Sequence, residues 1–420
     1  MQSFITCIAI ISIFILNGRP CLAEININNT NIVDSDFLGA KSSWRGYVGC
    51  NLRYFFDEAL QSSQSRSDIS FIAKPEFSLS WPSGNYFVLS PYYQSDNRDS
   101  ERRHFDIREL FFSFVGDAYE LSFGIEEIFW GVTESQNLVD VINQSDFVAN
   151  GKQSDKLGQP MINLSVLQKW GTIDFFLLPY FREKTYPGID GRLRPEIPIN
   201  TDLVQFESSS ENKHVDYALR YSHYIGEFEF GLSYFNGTSR NPEIRISDYS
   251  LTDGSTTAPS LYPYYYLMEQ VGLDVQYIMG GWLLKGELIY QQNDNRDYSA
   301  WTTGFEYTFT GVFNTEADIS ILAEWLYDDR LESSPSPFEN DIMIGARFSL
   351  NDLSSSELTI GFIRDIDRDP TVFSIELSRR ISDHWKINID AYWWMAGQEE
   401  AIFYPLRRDD FVSFSLSYYF

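Results

Sequence analysis

Residues 411–420 read Phe411-Val412-Ser413-Phe414-Ser415-Leu416-Ser417-Tyr418-Tyr419-Phe420. Val412, Phe414, Leu416, Tyr418 and Phe420 are apolar or aromatic, and Ser413, Ser415 and Ser417 alternate with them. Successive side chains of a strand point to opposite faces, so this segment has one fully apolar face and one small polar face. A strand of that kind belongs between hydrocarbon and a wet interior.

Ending on Phe420, the segment resembles the last strand of Gram-negative outer-membrane β-barrels. There an aromatic end is part of the signal read by the barrel-assembly machinery. The resemblance implies a bacterial outer-membrane location, with lipid and lipopolysaccharide around the wall. The other end of the chain agrees. Phe4 to Leu16 form an apolar run too short for a comfortable membrane span. Asn17-Gly18-Arg19-Pro20 breaks it, and Cys21-Leu22-Ala23 offers a cleavage site before Glu24. This predicts a secretory signal peptide over 1–23, although Met1-Gln2-Ser3 carries no basic residue. A short periplasmic segment over 24–38 and a barrel over 39–420 complete the expected organisation.

Removal of the signal leaves Cys50 as the only thiol, so no internal disulfide is expected. A closed ladder of backbone hydrogen bonds is then the expected source of stability. The net charge of −27 argues against a nucleic-acid partner. It also disfavours binding to anionic inner-leaflet lipid.

Alternating segments recur along the chain. Trp44, Val48, Leu52 and Tyr54 share one face, as do Phe71, Phe77 and Trp81 on the next segment. Tight turns such as Pro82-Ser83-Gly84-Asn85, Gly116-Asp117 and Gly280-Gly281 alternate with longer connections. The pattern predicts an all-β, transmembrane, antiparallel up-and-down barrel of 18 strands, with eight short turns and nine longer loops. In such barrels short turns and both termini are periplasmic. Trp44, Trp81, Trp282, Trp301, Trp325, Trp385 and Trp393 fall near segment ends, where an aromatic girdle would sit. Pro75, Pro91 and Pro179 fall inside predicted strands and each removes a ladder bond.

The opposite parity places charges inside, with carboxylates such as Glu109, Asp274, Glu287 and Glu324 outnumbering bases such as Arg53, Lys285 and Lys386. Most are expected to be ion-paired scaffolding. The acidic surplus predicts a cation-leaning pore for small hydrophilic solutes. The loop from Phe129 to Gln159 has an apolar centre and is expected to fold inward. It holds the third long-loop position, which in general porins constricts the pore. Its Trp130-Gly131 followed by Asp140-Val141-Ile142-Asn143 resembles a group of proteobacterial outer-membrane proteins over residues 129–159. Glu126, Glu134, Asp140 and Asp146 are the candidates for shaping the constriction, with Arg182 and Arg220 as opposing wall charges.

A second long loop carries Arg182, Lys184, Arg192 and Arg194 beside Tyr186, and reads as a solvated loop or an exposed site for an anionic solute or lipopolysaccharide phosphate. Acidic tips such as Asp96-Asn97-Arg98-Asp99 lack the spacing of a calcium loop and read as solvated. No cofactor motif, metal-ligand cluster or nucleophile elbow stands out. His214 and Asp216 share a face without a nucleophile, so an enzyme is not expected. A plugged barrel serving as adhesin or receptor, or a polymer-export channel, is the alternative to a passive pore.

Overall fold

The computed structural model describes residues 39–420 apart from 151–154, 248–250, 253–254, 257–258, 295, 332–335, 337, 368–370 and 396–402. The predicted signal peptide and the 24–38 segment lie outside the described residues. Eighteen strands form one sheet. Numbered along the chain they are β1 (Lys41–Phe55), β2 (Ser67–Ser80), β3 (Tyr86–Asp96), β4 (His104–Val115), β5 (Tyr119–Glu126) and β6 (Gln159–Gln168). Next come β7 (Gly171–Leu178), β8 (Asp216–Ile225), β9 (Phe228–Thr238), β10 (Leu267–Met279), β11 (Trp282–Gln292) and β12 (Tyr298–Phe309). The last six are β13 (Asp318–Asp328), β14 (Asn340–Ser349), β15 (Glu357–Asp365), β16 (Thr371–Arg380), β17 (Trp385–Met395) and β18 (Phe411–Tyr419).

Each strand pairs antiparallel with its sequence neighbour, and β18 pairs with β1 from Tyr47↔Tyr419 to Phe55↔Phe411. Phe420 extends the seam, since Gly46 and Phe420 exchange backbone hydrogen bonds of 3.2 and 3.1 Å. Closure matters physically because an open edge in hydrocarbon would leave a row of amides unsatisfied, at several kcal/mol per group. Eight connections on one side alternate with nine on the other, as predicted, but length separates them only in part: 310–317 and 350–356 among the eight are longer than 293–297 and 366–370 among the nine.

The alternation places apolar groups outside. Leu52, Phe71, Phe123, Leu284, Ile344 and Phe414 are all exposed on the outer wall. Aromatic contacts form at both ends of the strands. Trp44 meets Phe77, Trp282 meets Tyr307 and Trp385 meets Tyr418 toward the short turns. Trp301 stacks on Tyr327 and Trp393 lies against Phe56 toward the long loops. Cys50 is exposed on the same outer face, between Phe71 and Leu416 on its neighbours. We expect Cys50 in reconstituted vesicles to resist a membrane-impermeant maleimide, whereas Ser415→Cys, one position away on the lumen side, reacts. Rapid labelling of Cys50 would contradict the assignment of faces.

The prolines are accommodated rather than misplaced. Pro75 and Pro91 occupy the same level of β2 and β3, where the ladder lapses between Ala73↔Tyr93 and Phe77↔Leu89. Two residues without an N–H thus face one gap. Pro91 also sits at a bulge, where the β3–β4 register shifts between Ser90 and Pro91. On the other side of β2, Gly46 stands opposite Pro75 at φ 149°, and a Cβ there would lie 2.6 Å from the Lys74 carbonyl oxygen. Pro179 is a correction. It was expected inside a strand but lies outside one, because β7 ends at Leu178.

Candidate functional site

The loop 127–158 between β5 and β6 turns into the barrel and packs on part of its inner wall. Val139 and Ile142 are fully buried, and with Trp130 they join wall residues Phe176, Ala218 and Phe235 in one apolar cluster. Its backbone is held by wall carboxylates. Glu287 accepts from the Val132 and Thr133 amides at 2.7 and 3.0 Å. Glu324 accepts from the Glu134 and Ser135 amides, both at 2.8 Å. A charged acceptor for a backbone N–H is among the stronger protein hydrogen bonds, so these two side chains dock the loop. Neither was among the predicted site residues. Lumen-facing parity was their only signal.

The six predicted residues fall into several networks. Glu134 meets Lys285 at 3.0 Å and Arg347 at 3.5 Å, and Lys285 also lies 3.8 Å from Glu324 and 4.0 Å from Glu306. Asp140 pairs with Lys156 at 3.0 Å and accepts from the Trp130 amide at 3.3 Å. Asp146 is contacted by Arg108, by His104 at 3.1 Å and by the Thr185 hydroxyl at 2.8 Å. Arg108 and Arg182 share Asp106, each at 2.8 Å. Arg182 therefore belongs to the same network as Asp146, from a loop and not from the wall. Arg220 is bidentate to Asp274 at 2.7 and 2.9 Å and lies 5.2 Å from the Trp130 ring centre. Glu126 is buried and accepts from Ser122 at 2.5 Å. Glu134, Asp140 and Asp146 fix the inward loop, Arg220 touches it only through the Trp130 ring, and the Glu126 carboxylate bonds within its own strand. None of the six lines the free volume described below.

Two carboxyls in the loop titrate in opposite senses. Burial pushes Asp146 up, but the hydrogen bond from His104 and the charge of Arg108 overcome it and hold the carboxyl well below the usual range. Burial pushes Asp140 up despite Lys156. A folded-state value below the unfolded one gives stability that is complete above the unfolded pKa and lost only as pH falls through the folded value. A raised value works the other way, so Asp140 strains the loop less as pH falls. We expect limited proteolysis of the loop to be the same at pH 4 as at pH 7. Release of the loop at pH 4 would contradict the ion-pair assignment of Asp146.

The loops 179–215 and 239–266 cover the rim. They share a small sheet in which Gln205–Phe206 and Glu243–Ile246 flank Leu261–Tyr265. Tyr265 is fully buried there, against Phe181 and Phe206. The first of these loops then reaches the far side of the mouth. Arg192 meets Asp409 at 2.6 Å and lies 4.0 Å from the Phe55 ring centre. Arg194 donates to Gln61 at 2.9 Å. The basic cluster read as exposed is thus corrected: Arg192 and Arg194 are buried with protein partners. The two carboxylates of the tip Asp96–Asp99 are likewise not solvated, because Asp96 pairs with Arg102 at 3.1 Å and Asp99 accepts from the Gly188 amide at 3.1 Å, while Asn97 and Arg98 are exposed. Asp216 receives His214 at 2.8 Å, Arg240 at 2.9 Å and the Thr238 amide at 3.0 Å, which is a structural knot.

A free volume of about 580 Å³ remains along β1, β2, β17 and β18. Phe411, Ser413, Ser415, Ser417 and Tyr419, the successive inward residues of β18, all border it. From Phe411 to Tyr419, at ~3.3 Å per residue and a tilt near ~45°, this wall covers roughly 20 Å of depth. Its charged lining is Arg53, Lys74 and Lys386 against Asp155 and Asp390.

No family model matches the chain, and no curated protein does. Among solved structures it is similar to Wzi of Escherichia coli, an outer-membrane protein involved in group 1 capsule assembly and described as a carbohydrate-binding β-barrel. The identity is 9%, the TM-score 0.50, and the match covers 91% of this chain and 85% of that one. A mutant of the Rh. blastica porin matches at 11% identity and TM-score 0.43, over 90% of this chain and all of the other. A loop-deletion mutant of OmpT, an outer-membrane protein of Vibrio cholerae, matches at 10% and 0.44, over 91% and 100%. The likeness is one of fold. With its closed ladder, apolar outer wall and polar lumen, the chain is a transmembrane β-barrel of the bacterial outer membrane.

Proposed function

We propose that the barrel is a passive channel for small hydrophilic solutes, with its short turns toward the periplasm and its long loops outward. The observation that carries this reading is the run of inward residues along the whole of β18 that border one free volume. The inward loop narrows the lumen from the opposite side, and its ion pairs keep it there. Selectivity then depends on the charges beside the path and not on the total of −27. The acidic surplus among the inward side chains predicted a cation preference, but the carboxylates Glu134, Asp140 and Asp146 are engaged by cations inside the loop contacts.

The rim supports a second reading. The loop 179–215 spans the mouth, as it would in a barrel whose working surface is its outer face, a receptor, an adhesin or a polymer-export device. Wzi, with the same architecture, binds carbohydrate. Single-channel recording of the refolded chain in a planar bilayer separates the two. Stable conductance steps are expected for a channel. Silence from a barrel that shows heat-dependent gel migration would favour the outer-face reading.

A further inference from the structure

We infer that the free volume along β18 holds an anion-binding site for a small, hydroxyl-rich carboxylate of the sugar-acid class, anchored by Arg53. The inference deepens the reading of this volume as a solute path. Arg53 is only 4% exposed and borders the volume. Its Nε has no hydrogen-bond partner, and its guanidinium forms no ion pair among the described residues. Its guanidinium lies 4.9 Å from the Phe411 ring centre. The carboxylates around it act on it only through their field and none pairs with it. Asp68 is its cross-strand neighbour on β2 but stands beyond pairing distance, Asp96 is held by Arg102 and Ser70, and Asp390 accepts from Ser413 at 3.4 Å. A guanidinium has five donors and no acceptor, so a buried one without a carboxylate calls for an anion.

The surroundings define the rest of the ligand. Arg53, Ser413 and Asp390 share one level of the β1–β18–β17 wall, and Asn51, Ser415 and Asn388 share the next. Asn51 donates to Ser415 at 2.7 Å, yet the amide oxygens of both Asn51 and Asn388 are without partners. One level further, Lys386 lies beside Ser417, borders the same volume and forms no ion pair among the described residues. Lys74 reaches Glu127 only at 3.7 Å. The wall therefore lacks an acceptor at Arg53 and hydroxyl donors at the two amides. A carboxylate on a polyol supplies both, and the rings of Tyr392 and Phe411, stacked at 5.4 Å, give its carbon face a surface.

The test is calorimetric titration of the refolded full chain with glucuronate and with glucose, for the native protein, Arg53→Gln, Arg53→Lys and Lys386→Gln. Heat-dependent gel migration verifies folding of each. Glucuronate is expected to bind at least tenfold more tightly than glucose. Arg53→Gln should weaken it by tenfold or more, Lys386→Gln by a few-fold, and Arg53→Lys least. Equal affinity for the two sugars, or unchanged glucuronate binding in Arg53→Gln, would overturn the site and leave Arg53 to the field of Asp68. If Arg53→Gln fails to fold, the Lys386→Gln result decides in the same way. The channel reading fails separately. Binding without conductance keeps the site and removes the channel, and conductance without binding does the reverse.

Discussion

Replacement of Lys285 by alanine is expected to raise single-channel conductance severalfold and to make it fluctuate. Its side chain is fully buried and shared by Glu134, Glu306 and Glu324. Without it, Arg347 is the one cation among the described residues left paired in this group, with Glu134 and Glu306 but not Glu324, and the carboxylates' mutual repulsion falls on the loop that Glu134 belongs to. Removing one partner of a buried ionic group costs about 3–5 kcal/mol. At ~1.4 kcal/mol per decade, that shifts a docked loop toward an undocked one by roughly two to three and a half orders of magnitude. The apolar contacts of Trp130, Val139 and Ile142 remain, so the loop is expected to flicker and not to leave. The strand ladder does not depend on Lys285, and heat-dependent gel migration should be unchanged. Adding Glu134→Gln relieves one of the opposed charges and should return the conductance toward the native value. Native conductance in a folded Lys285→Ala barrel would mean that the apolar cluster alone docks the loop.

The architecture was legible because a membrane barrel repeats one local rule. Each strand must be apolar on alternate positions, so eighteen strands, their turns and the outward faces follow from period-two reading. Strand ends are less legible. Pro179 and the residues after it continue the alternation toward Arg182, while the ladder has already stopped at Leu178. The lumen is less legible again, because parity identifies a side chain as inward without saying what covers it. The apolar centre of 129–159 correctly predicts an inward loop. A second signal lay in the inward positions Phe176, Ala218, Phe235 and Met268, whose apolar character marks the arc that this loop must cover. Along β18 the same parity gives Ser413, Ser415 and Ser417, the wall left free. The fate of Arg192 had no local signal at all, since its partner Asp409 lies 217 residues further along the chain.

That long-range pair is the point at which the mouth is most sensitive to substitution. Arg192→Ala is expected to open the loop 179–215 to an added protease within residues 187–197 and to raise conductance, with the barrel ladder intact. Arg192 joins this loop to the opposite rim through Asp409 at 2.6 Å and the Asp57 carbonyl at 3.1 Å. Asp409 also accepts from the Leu193 amide at 3.1 Å, and Leu193 holds a left-handed φ of 60°, a conformation that a leucine keeps only under external constraint. Loss of the guanidinium leaves a buried carboxylate with that amide as its remaining described hydrogen bond, again a loss of about 3–5 kcal/mol. Burial already pushes the Asp409 carboxyl up against the pull of Arg192 and Arg194. With the cation gone it rises further, so the penalty is that of the ionised form and fades as pH falls through the raised value. Cleavage of the variant should therefore be faster at pH 8 than at pH 5, whereas the native loop resists at both. A variant cleaved equally at the two pH values would show that lost packing on Phe55, and not the stranded charge of Asp409, releases the loop.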